Sequence, residues 1–518
     1  MQERGSEAQA SAAESPPVLA GWQALARGPA PAPGLLWPRW LFLRALGLIF
    51  FSAFYSLAFQ IRGLIGEHGI LPAGDYLRAV AAAAGGVVRL RYAPTLLWLR
   101  ADDVALLALV GLGLAASLAL ACNLWPRLSG ALCLLAFLSA IGALQEFSSY
   151  QSDGMLLEAG FAALFLAPRG AWPGLGAEQP PSWASRFLLR WELFRIYFES
   201  GLVKLLSGEP QWRDLTALDR YHENGPLPTW IGWYAQQLPH AFHAACAAFT
   251  LLLELILVWM IWLPRRFRLV FLALATALQV AILATANYAF LNYLVLALGL
   301  LLLDDRLLAR LGLRSPASAP HPVARWRRIG LAAVTALVVW ASVAAFLPLP
   351  APLNWPHRAL APLRIADSYG LFAVMTRQRY EIELQGSMDG ETWTPYPFRY
   401  KPQDPARPPG IFAPYQPRFD WNLWFASLAD WRSARWVVNT EARLLEGSPP
   451  VLALFAANPF PHGPPRQVRA VRWRYWFTDL PTRRRSGRWW NREEVGLYAP
   501  VLERRTDGTI QAIAYPAD

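Results

Sequence analysis

Long runs of apolar residues constrain this chain more than any other feature of its sequence. Within the first 350 residues, nine runs are close to the roughly 20 residues that an α-helix needs to cross the hydrocarbon core of a bilayer. Because lipid offers no hydrogen-bond partner, a backbone that crosses it in such a run must be helical. We therefore predict nine membrane spans, at residues 40–59, 104–122, 128–144, 150–167, 187–206, 241–263, 269–286, 288–303 and 329–349.

The composition agrees with a membrane protein. Hydrophobic residues make up 55% of the chain and charged residues 16%, a balance that a soluble protein of 518 residues does not need. The net charge of +12 comes almost wholly from arginine, since Lys204 and Lys401 are the two lysines. The arginines lie beside apolar segments or among acids and form no single basic stripe, so we expect membrane lipid and no nucleic acid as a partner.

The distribution of arginine predicts the orientation of the chain. Short connections rich in arginine lie on the cytosolic side of a membrane, and those around residues 127, 169–186, 265–266 and 306–328 share one side in a nine-span chain. We therefore predict a cytosolic N-terminus and an exoplasmic C-terminus. The exoplasmic connection at residues 60–103 also carries arginines, and we expect a surface or half-buried helix there.

The chain divides into three parts. Residues 1–36 are rich in Ala, Pro, Ser and Glu and predict a disordered head, and residues 37–350 form the polytopic α-helical membrane bundle. Beyond it, apolar and polar residues alternate at 380–385 and again along 468–477, and a turn is predicted at Asp389-Gly390. We therefore predict a β-rich soluble domain at residues 351–518, a β-sandwich with a helical insertion near residues 421–455.

One predicted span carries an unusual set of ionisable residues. At 100° per residue two stripes form on the segment 190–206, one with Glu192, Arg195 and Glu199 and the other with Arg190, Tyr197 and Lys204. Because charges facing acyl chains are costly, neighbouring helices must shield this segment. Two interpretations stay open: ion pairs that fix the packing of the bundle, or a site in a water-filled or lipid-filled cavity.

Acids in neighbouring spans are candidate partners for these charges. Glu158 could pair with Arg195 or with Lys204, and Asp153 lies near the outer end of the same span, where it could act as a helix cap. Glu254 in the sixth span could pair with an arginine of the bundle or take part in catalysis. Burial favours the neutral form of a lysine unless a carboxylate pairs with it. Lys204 could therefore also serve as a base.

The connection after this span mixes aromatic and ionisable residues, namely Trp212, Arg213, Asp214, His222 and Glu223. They could form a structural loop or a ligand site. A metal site needs more ligands at controlled spacing, so we expect no metal. The sequence contains no nucleophile-elbow, phosphate-binding or zinc-protease motif, so we expect no cofactor. The cysteines, Cys122, Cys133 and Cys246, fall in predicted spans and are interpreted as small apolar residues.

Several blocks of the sequence resemble the lipase maturation factor family. In the membrane part they are residues 150–168, 193–205, 212–218 and 226–228, and in the tail they are 400–405, 413–418, 420–425, 444–449, 458–461 and 487–496. The chain departs from the family pattern at residues 220–225 and at Tyr415, where a histidine is usual. The resemblance implies a membrane chaperone that helps secreted lipases to mature, in the endoplasmic reticulum membrane of a eukaryote or the cytoplasmic membrane of a bacterium.

A second, shorter similarity suggests another function. The spacing of Phe198, Gly201, Lys204 and Trp212 is similar to that in one helix of the vitamin K-dependent carboxylase and its relatives. This implies the alternative of a membrane-embedded enzyme that acts on a lipid or quinone-like substrate. Lys204 would be its base, with Glu199 or Glu158 as the partner of the base.

Overall fold

The computed structural model describes residues 34–316 and 324–517. The head predicted at residues 1–36 lies outside the described residues except for its last three, of which Leu36 already begins the first helix. The chain folds into a helical N-terminal part followed by a domain that contains a β-sheet.

Helices make up the first part of the chain. They are α1 (Leu36–Ala58), α2 (Ile61–Ile65), α3 (Ala73–Ala83), α4 (Arg89–Tyr92), α5 (Asp103–Ala121), α6 (Pro126–Ile141), α7 (Gln151–Leu166), α8 (Trp183–Leu206), α9 (Tyr221–Asn224), α10 (Trp230–Gln236), α11 (His240–Leu255), α12 (Arg265–Thr285), α13 (Leu291–Gly299), α14 (Asp305–Arg310), α15 (Arg325–Phe346) and α16 (Trp355–Leu360). The 3₁₀ segments Leu257–Trp262 and Leu300–Leu302 extend α11 and α13. Each of the nine predicted apolar runs overlaps one of these helices.

Among the described residues, five helices are long and apolar enough to cross a membrane: Leu36–Ala58, Asp103–Ala121, His240–Trp262, Arg265–Thr285 and Arg325–Phe346. Of the other four predicted spans, α6 and α13 are apolar but shorter, α7 has 16 residues, and α8 carries charges. The chain is therefore an integral membrane protein with five candidate spans, and the other four spans stay a prediction. A helix, α3, does lie in the arginine-containing connection at residues 60–103.

Helix α7 is largely enclosed by its neighbours, one of which is α8. Almost every residue of α7 from Ser152 to Ala163 is buried, and α8 packs beside it and beside α11. An ideal Cβ placed on Gly160 of α7 would lie 3.0 Å from the ring of Phe50 in α1, so a glycine permits this close packing. The neighbouring helices thereby shield the charged residues of α8, as the sequence predicted.

The described part of the C-terminal domain contains one antiparallel sheet. Its strands are β1 (Arg379–Ser387), β2 (Thr394–Pro395), β3 (Gln467–Phe477), β4 (Trp490–Leu497), β5 (Val501–Arg504) and β6 (Ile510–Ala514). They are ordered β2-β1-β3-β5-β6, with β4 paired to the C-terminal half of β3. The predicted turn is confirmed, since Asp389 and Gly390 lie in the connection between β1 and β2.

Helices rather than a second sheet cover the apolar face of this sheet. The insertion between β2 and β3 forms α17 (Arg418–Ser427), α18 (Trp436–Leu445) and α19 (Pro449–Leu452), and α17 and α18 pack on β1 and β3. The expected β-sandwich is therefore not found among the described strands, which all belong to one sheet. The remaining helix, α20 (Leu480–Ser486), connects β3 to β4.

The polar side chains of β1 are also buried. Glu381 pairs with Arg379 on the same strand and with Lys401 at 2.8 Å, and all three side chains are at most 1% exposed. Alternation along β1 correctly predicted two faces. It did not predict that the polar face is covered by the loop that carries Lys401.

Candidate functional site

Helices α7 and α8 face each other with opposite charges. Glu158 of α7 forms an ion pair with Arg195 of α8, and both side chains are almost completely buried. The hydroxyl of Tyr369 donates to the second carboxylate oxygen of Glu158 at 2.5 Å, and the guanidinium of Arg195 lies 4.9 Å from the centre of the Tyr369 ring. Of the two partners predicted for Glu158, the structure brings Arg195 to it.

Tyr369 belongs to a stretch of the C-terminal part, residues 367–372, which we term the docking segment. Three of its carbonyl oxygens accept hydrogen bonds from side chains of the helical part: Asp367 O from Arg195 (2.5 Å), Leu371 O from Lys204 (3.0 Å) and Phe372 O from Trp212 (2.9 Å). Three of its amides donate in return: Tyr369 to Glu199 (2.7 Å), Gly370 to Gln151 (3.0 Å) and Leu371 to Ser200 (3.3 Å). The ionisable residues of α8 thus bind the backbone of the following domain.

Lys204 is paired with Glu254 of α11. Its ammonium nitrogen lies 2.8 and 2.9 Å from the two carboxylate oxygens of Glu254 and 5.0 Å from the centre of the Trp212 ring. An ideal Cβ on Gly201 would lie 2.8 Å from the Cβ of Glu254, so the absence of a side chain there lets α11 approach α8. The structure therefore gives Lys204 a partner other than Glu158 or Glu199, and gives Glu254 a lysine rather than an arginine.

A second ionic contact joins the two parts of the chain. The carboxylate of Asp153 at the start of α7 accepts a hydrogen bond from each terminal nitrogen of Arg418, both at 2.8 Å. Neither side chain has exposed surface. Arg418 also donates to the carbonyl oxygen of Phe147 at 2.7 Å. Because Arg418 begins α17, this bidentate contact fixes the helical layer of the C-terminal domain against the start of α7.

Two further residues of α8 do not contact the docking segment through hydrogen bonds among the described residues. Glu192 is completely buried, and neither of its carboxylate oxygens has a hydrogen-bond partner among the described residues. Arg190 is half-buried and donates to the carbonyl oxygen of Leu301 at 3.1 Å. The contacts of α8 therefore divide along its length and not by stripe: Arg195 and Lys204, one from each stripe, contact the docking segment, and Arg190 faces the end of α13.

The connection after α8 supports the C-terminal domain rather than forming one site. Glu223 accepts from Arg220 at 2.9 Å and from the backbone amide of Phe477 in β3 at 3.0 Å. The guanidinium of Arg379 in β1 donates to the carbonyl oxygens of Glu223 and Pro226, each at 2.9 Å. These hydrogen bonds hold residues 223–226 against strands β1 and β3.

The remaining residues predicted in this connection do not gather around a common point. Arg213 and Asp214 are exposed, and Arg213 donates to the carbonyl oxygen of Leu205. His222 packs against His243 with ring centres 5.8 Å apart, and burial together with the neighbouring imidazole lowers the pKa of His222 to about 3. Within the described residues, no three His, Cys, Asp or Glu side chains are grouped so that they could hold a metal ion.

Taken together, these contacts build an interface that is ionic, buried and closed. Glu158 and Glu254 each pair with a base of α8, Asp153 pairs with Arg418, and the docking segment covers Arg195 and Lys204. Leaving one member of such a pair unpartnered costs about 3–5 kcal/mol, so the interface strongly favours the docked arrangement. Its chemistry suits positioning of one part of the chain on the other.

Sequence reasoning missed Arg418 and the docking segment. Arg418 lies 265 residues from Asp153, and nothing in the local pattern around either residue indicates the pairing. The docking segment contributes mainly backbone groups, which have no signature in the identity of residues. The one signal that was available is the arginine at the start of α17, a helix rich in aromatic residues.

Comparison with known proteins adds to this picture. The model of the lipase maturation factor transmembrane domain matches residues 37–310, and that of the lipase maturation factor C-terminal domain matches residues 365–500. The two matches contain the two sides of the interface, since Asp153, Arg195 and Lys204 lie in the first and the docking segment and Arg418 in the second.

Individual relatives match most of the chain. Lipase maturation factor 1 of Bos taurus is 34% identical over 509 residues, which cover 91% of this chain and 90% of that protein. Lipase maturation factor 2 of Homo sapiens is 33% identical over 591 residues, with coverage of 90% and 82%, and lipase maturation factor 1 of Homo sapiens is 31% identical over 536 residues, with coverage of 94% and 92%. No solved structure matches the chain.

Proposed function

The chain belongs to the lipase maturation factor family, and on that premise we propose that it is a membrane-anchored maturation factor for secreted lipases or related exported proteins. The proposal depends most on one observation: relatives named for lipase maturation match both the helical part and the C-terminal domain, over 91% of the chain in one case. A client lipase would be the partner of the C-terminal domain.

The structure supports a division of labour between the two parts. The helical part anchors the chain, and the buried contacts of Asp153, Arg195 and Lys204 hold the C-terminal domain in one orientation at the membrane. That domain exposes large apolar side chains that could contact a partially folded client, among them Met388, Ile411, Phe425, Val495 and Tyr515. A rigidly held apolar surface loses less entropy on binding than a mobile one.

We place the domain limits at 37–350 for the membrane part and 351–518 for the soluble part, with nine helices crossing the membrane. In this arrangement α6, α7, α8 and α13 complete the bundle, and the enclosed positions of α7 and α8 supply the shielding that their charges need. The arginine bias supports a cytosolic N-terminus and an exoplasmic C-terminus. The compartment is the endoplasmic reticulum membrane in a eukaryote and the cytoplasmic membrane in a bacterium.

The geometry favours this function over a membrane enzyme that uses Lys204 as its base. The ammonium of Lys204 donates to both oxygens of Glu254 and to the carbonyl oxygen of Leu371, which accounts for its three donors. A base must instead present a free electron pair to its substrate.

The experiment uses cells that lack their own lipase maturation factor and that secrete a lipase. Expression of the full chain should restore secreted lipase activity. A chain truncated after Leu349 should insert into the membrane and restore none, because it lacks the domain assigned to the client.

The matched control is Arg78→Gln, which removes one arginine from the exposed Asp75–Arg78 pair of α3. This variant should restore activity as well as the parent chain does. Full activity of the truncated chain, or no activity of the full chain at a normal membrane level, would reject the proposed function.

A further inference from the structure

A cavity of about 280 Å³ lies between the end of α6 and the residues that lead into the docking segment. Ile141 at the end of α6 forms one wall, Tyr76 of α3 and Tyr92 of α4 form a second, and residues 361–364, which follow α16, form a third. A single water molecule needs about 10–15 Å³ of such space. The cavity is therefore large enough for a ligand of many atoms.

Hydrogen bonds hold these walls together. The backbone amide of Leu96 donates to the hydroxyl of Ser139 in α6 at 3.2 Å, and the guanidinium of Arg91 donates to the carbonyl oxygen of Arg358 in α16 at 3.2 Å. The side-chain amide of Gln145, which also lines the cavity, donates to the carbonyl oxygen of Leu71 at 3.0 Å. Separate segments of the chain thereby frame the cavity.

Arg364 brings unused hydrogen-bond donors to this cavity. Its Nη1 donates to the carbonyl oxygen of Ser148 at 2.8 Å, which fixes the position of the guanidinium. Its Nε and Nη2 form no hydrogen bond or ion pair with the described part of the chain, and neither atom is enclosed. Asp367 is near enough to attract this charge but does not pair with it. A guanidinium held in this way matches the oxygen atoms of a phosphate.

Two residues of the cavity wall have an uncommon backbone conformation. The φ angle is 50° at Gln145 and 51° at Arg364, in the left-handed region that residues other than glycine rarely adopt. Such strain persists where the surrounding structure enforces it, and it is concentrated at binding sites. Both strained residues line the same cavity, which agrees with a ligand site there.

Exposed apolar residues indicate the depth of the cavity in the membrane. Val87, Val88 and Leu99, in the segment between α3 and α5, are 81%, 56% and 88% exposed, and two arginines lie between them. Apolar and basic side chains mixed in this way are typical of a segment that lies in the headgroup layer of a bilayer. Pro94 of this segment lines the cavity, which therefore lies at headgroup depth.

An apolar path leads from the cavity along α6. Leu138 lines the cavity. Leu135 and Leu128, about one and three turns further along the adjoining face of α6, are 43% and 55% exposed. A hydrocarbon chain can therefore lie along this face while the headgroup attached to it occupies the cavity.

We propose that this cavity binds the headgroup of a phospholipid from the adjoining leaflet, with its phosphate on Arg364 and an acyl chain along Leu138 and Leu135. The phosphate oxygens accept hydrogen bonds from Nε and Nη2 of Arg364, and the hydroxyl of Tyr76 is available to the rest of the headgroup. The bound lipid joins α6 to the residues that lead into the docking segment. The site does not depend on the proposed client.

The test measures which lipids stay bound to the purified full-length chain. The detergent-solubilised protein is incubated with phosphatidylglycerol or with a diacylglycerol that has the same acyl chains, and retained lipid is counted by native mass spectrometry. Phosphatidylglycerol should be retained in preference, because diacylglycerol has no phosphate for Arg364. Inorganic phosphate at the same concentration should not displace it, because inorganic phosphate has no chain to lie along α6.

One pair of variants tests the phosphate contact. Arg364→Asn removes the guanidinium and places there a residue that tolerates the left-handed region. It should retain roughly tenfold less phosphatidylglycerol than the parent chain, because charge-assisted hydrogen bonds are lost. The control Arg358→Asn removes an equal charge from an exposed residue outside the cavity wall and should leave retention unchanged.

A second pair tests the cavity with Arg364 intact. Ala361→Phe places a large side chain in the cavity wall and should reduce retention of phosphatidylglycerol. Ala359→Phe makes the same change at an exposed position of α16 outside that wall and should not reduce it.

Four results would overturn the site. Equal retention of phosphatidylglycerol and diacylglycerol, or undiminished retention by Arg364→Asn, would contradict the phosphate contact. Undiminished retention by Ala361→Phe would show that the lipid binds elsewhere. Displacement by inorganic phosphate would show that the cavity holds a free anion and no lipid.

Discussion

Replacing Arg418 by alanine should release the C-terminal domain from the helices. The substitution removes two hydrogen bonds of 2.8 Å to Asp153 and one of 2.7 Å to Phe147, and it leaves the carboxylate of Asp153 buried without a partner. Because both side chains are completely buried, the loss is about 3–5 kcal/mol. For a unit of this size, that free energy lowers the melting temperature by roughly 10 °C.

The assay compares thermal unfolding and limited proteolysis of the purified chains. Arg418→Ala should expose the connection between α15 and β1 to protease while the helical part stays inserted. The control Arg78→Gln, which breaks an ion pair of well exposed side chains, should change the melting temperature little.

A second variant tests the cause. Asp153→Asn/Arg418→Ala should be more stable than Arg418→Ala alone, because the unpaired buried charge is then absent. The reasoning is refuted if Arg418→Ala has the same melting temperature as Arg78→Gln. It is also refuted if Asp153→Asn/Arg418→Ala has the same melting temperature as Arg418→Ala.

Three further outcomes follow from the same contacts. Lys204→Ala should lower the amount of folded protein in the membrane and reduce lipase maturation in proportion, whereas loss of maturation at an unchanged folded level would favour a catalytic Lys204. The pKa of His222, depressed from 6.5 to about 3, means that the unfolded chain binds a proton below pH 6.5 that the folded chain does not, so stability present above pH 6.5 falls with decreasing pH. Between pH 6.5 and 5 the free energy of unfolding falls by about 2 kcal/mol. In melting curves recorded over this pH range, a His222→Phe variant should lose less stability than the parent chain. Equal losses in the two chains would contradict a buried neutral imidazole at His222. Gly201→Leu should separate α11 from α8 and destabilise the chain, because an added Cβ lies 2.8 Å from the Cβ of Glu254. Gly111→Leu should be tolerated, because the space around Gly111 is open. Equal melting temperatures of the two variants would contradict the close approach of the helices.

The sequence predicted those features that depend on local periodicity. Each apolar run overlaps a helix, and the alternation at residues 380–385 falls on β1, because burial imposes a repeat of 3.6 or 2 residues on any helix or strand. The pairing of Glu158 with Arg195 was one of two predicted options. The family resemblance, which extends over many short blocks in order, is confirmed by matches to both parts of the chain.

The features that were missed depend on distant segments. Periodicity places Lys204 on a face of α8 but does not say which helix covers that face, and the close approach of Glu254 depends on Gly201. The contact of Asp153 with Arg418 spans 265 residues, and the docking segment acts through its backbone. Alternation likewise predicts strands without saying whether helices or a second sheet cover them, which is why the expected sandwich does not match the single sheet.

The most direct test of the account is the lipase activity secreted per unit of membrane-inserted protein for Arg418→Ala, compared with the parent chain and Arg78→Gln. If docking positions the C-terminal domain for its client, Arg418→Ala should fall toward the level of the chain truncated after Leu349 while Arg78→Gln matches the parent. Parental activity of Arg418→Ala, with its C-terminal domain released according to proteolysis, would contradict the claim that the ionic interface is what makes the chain work.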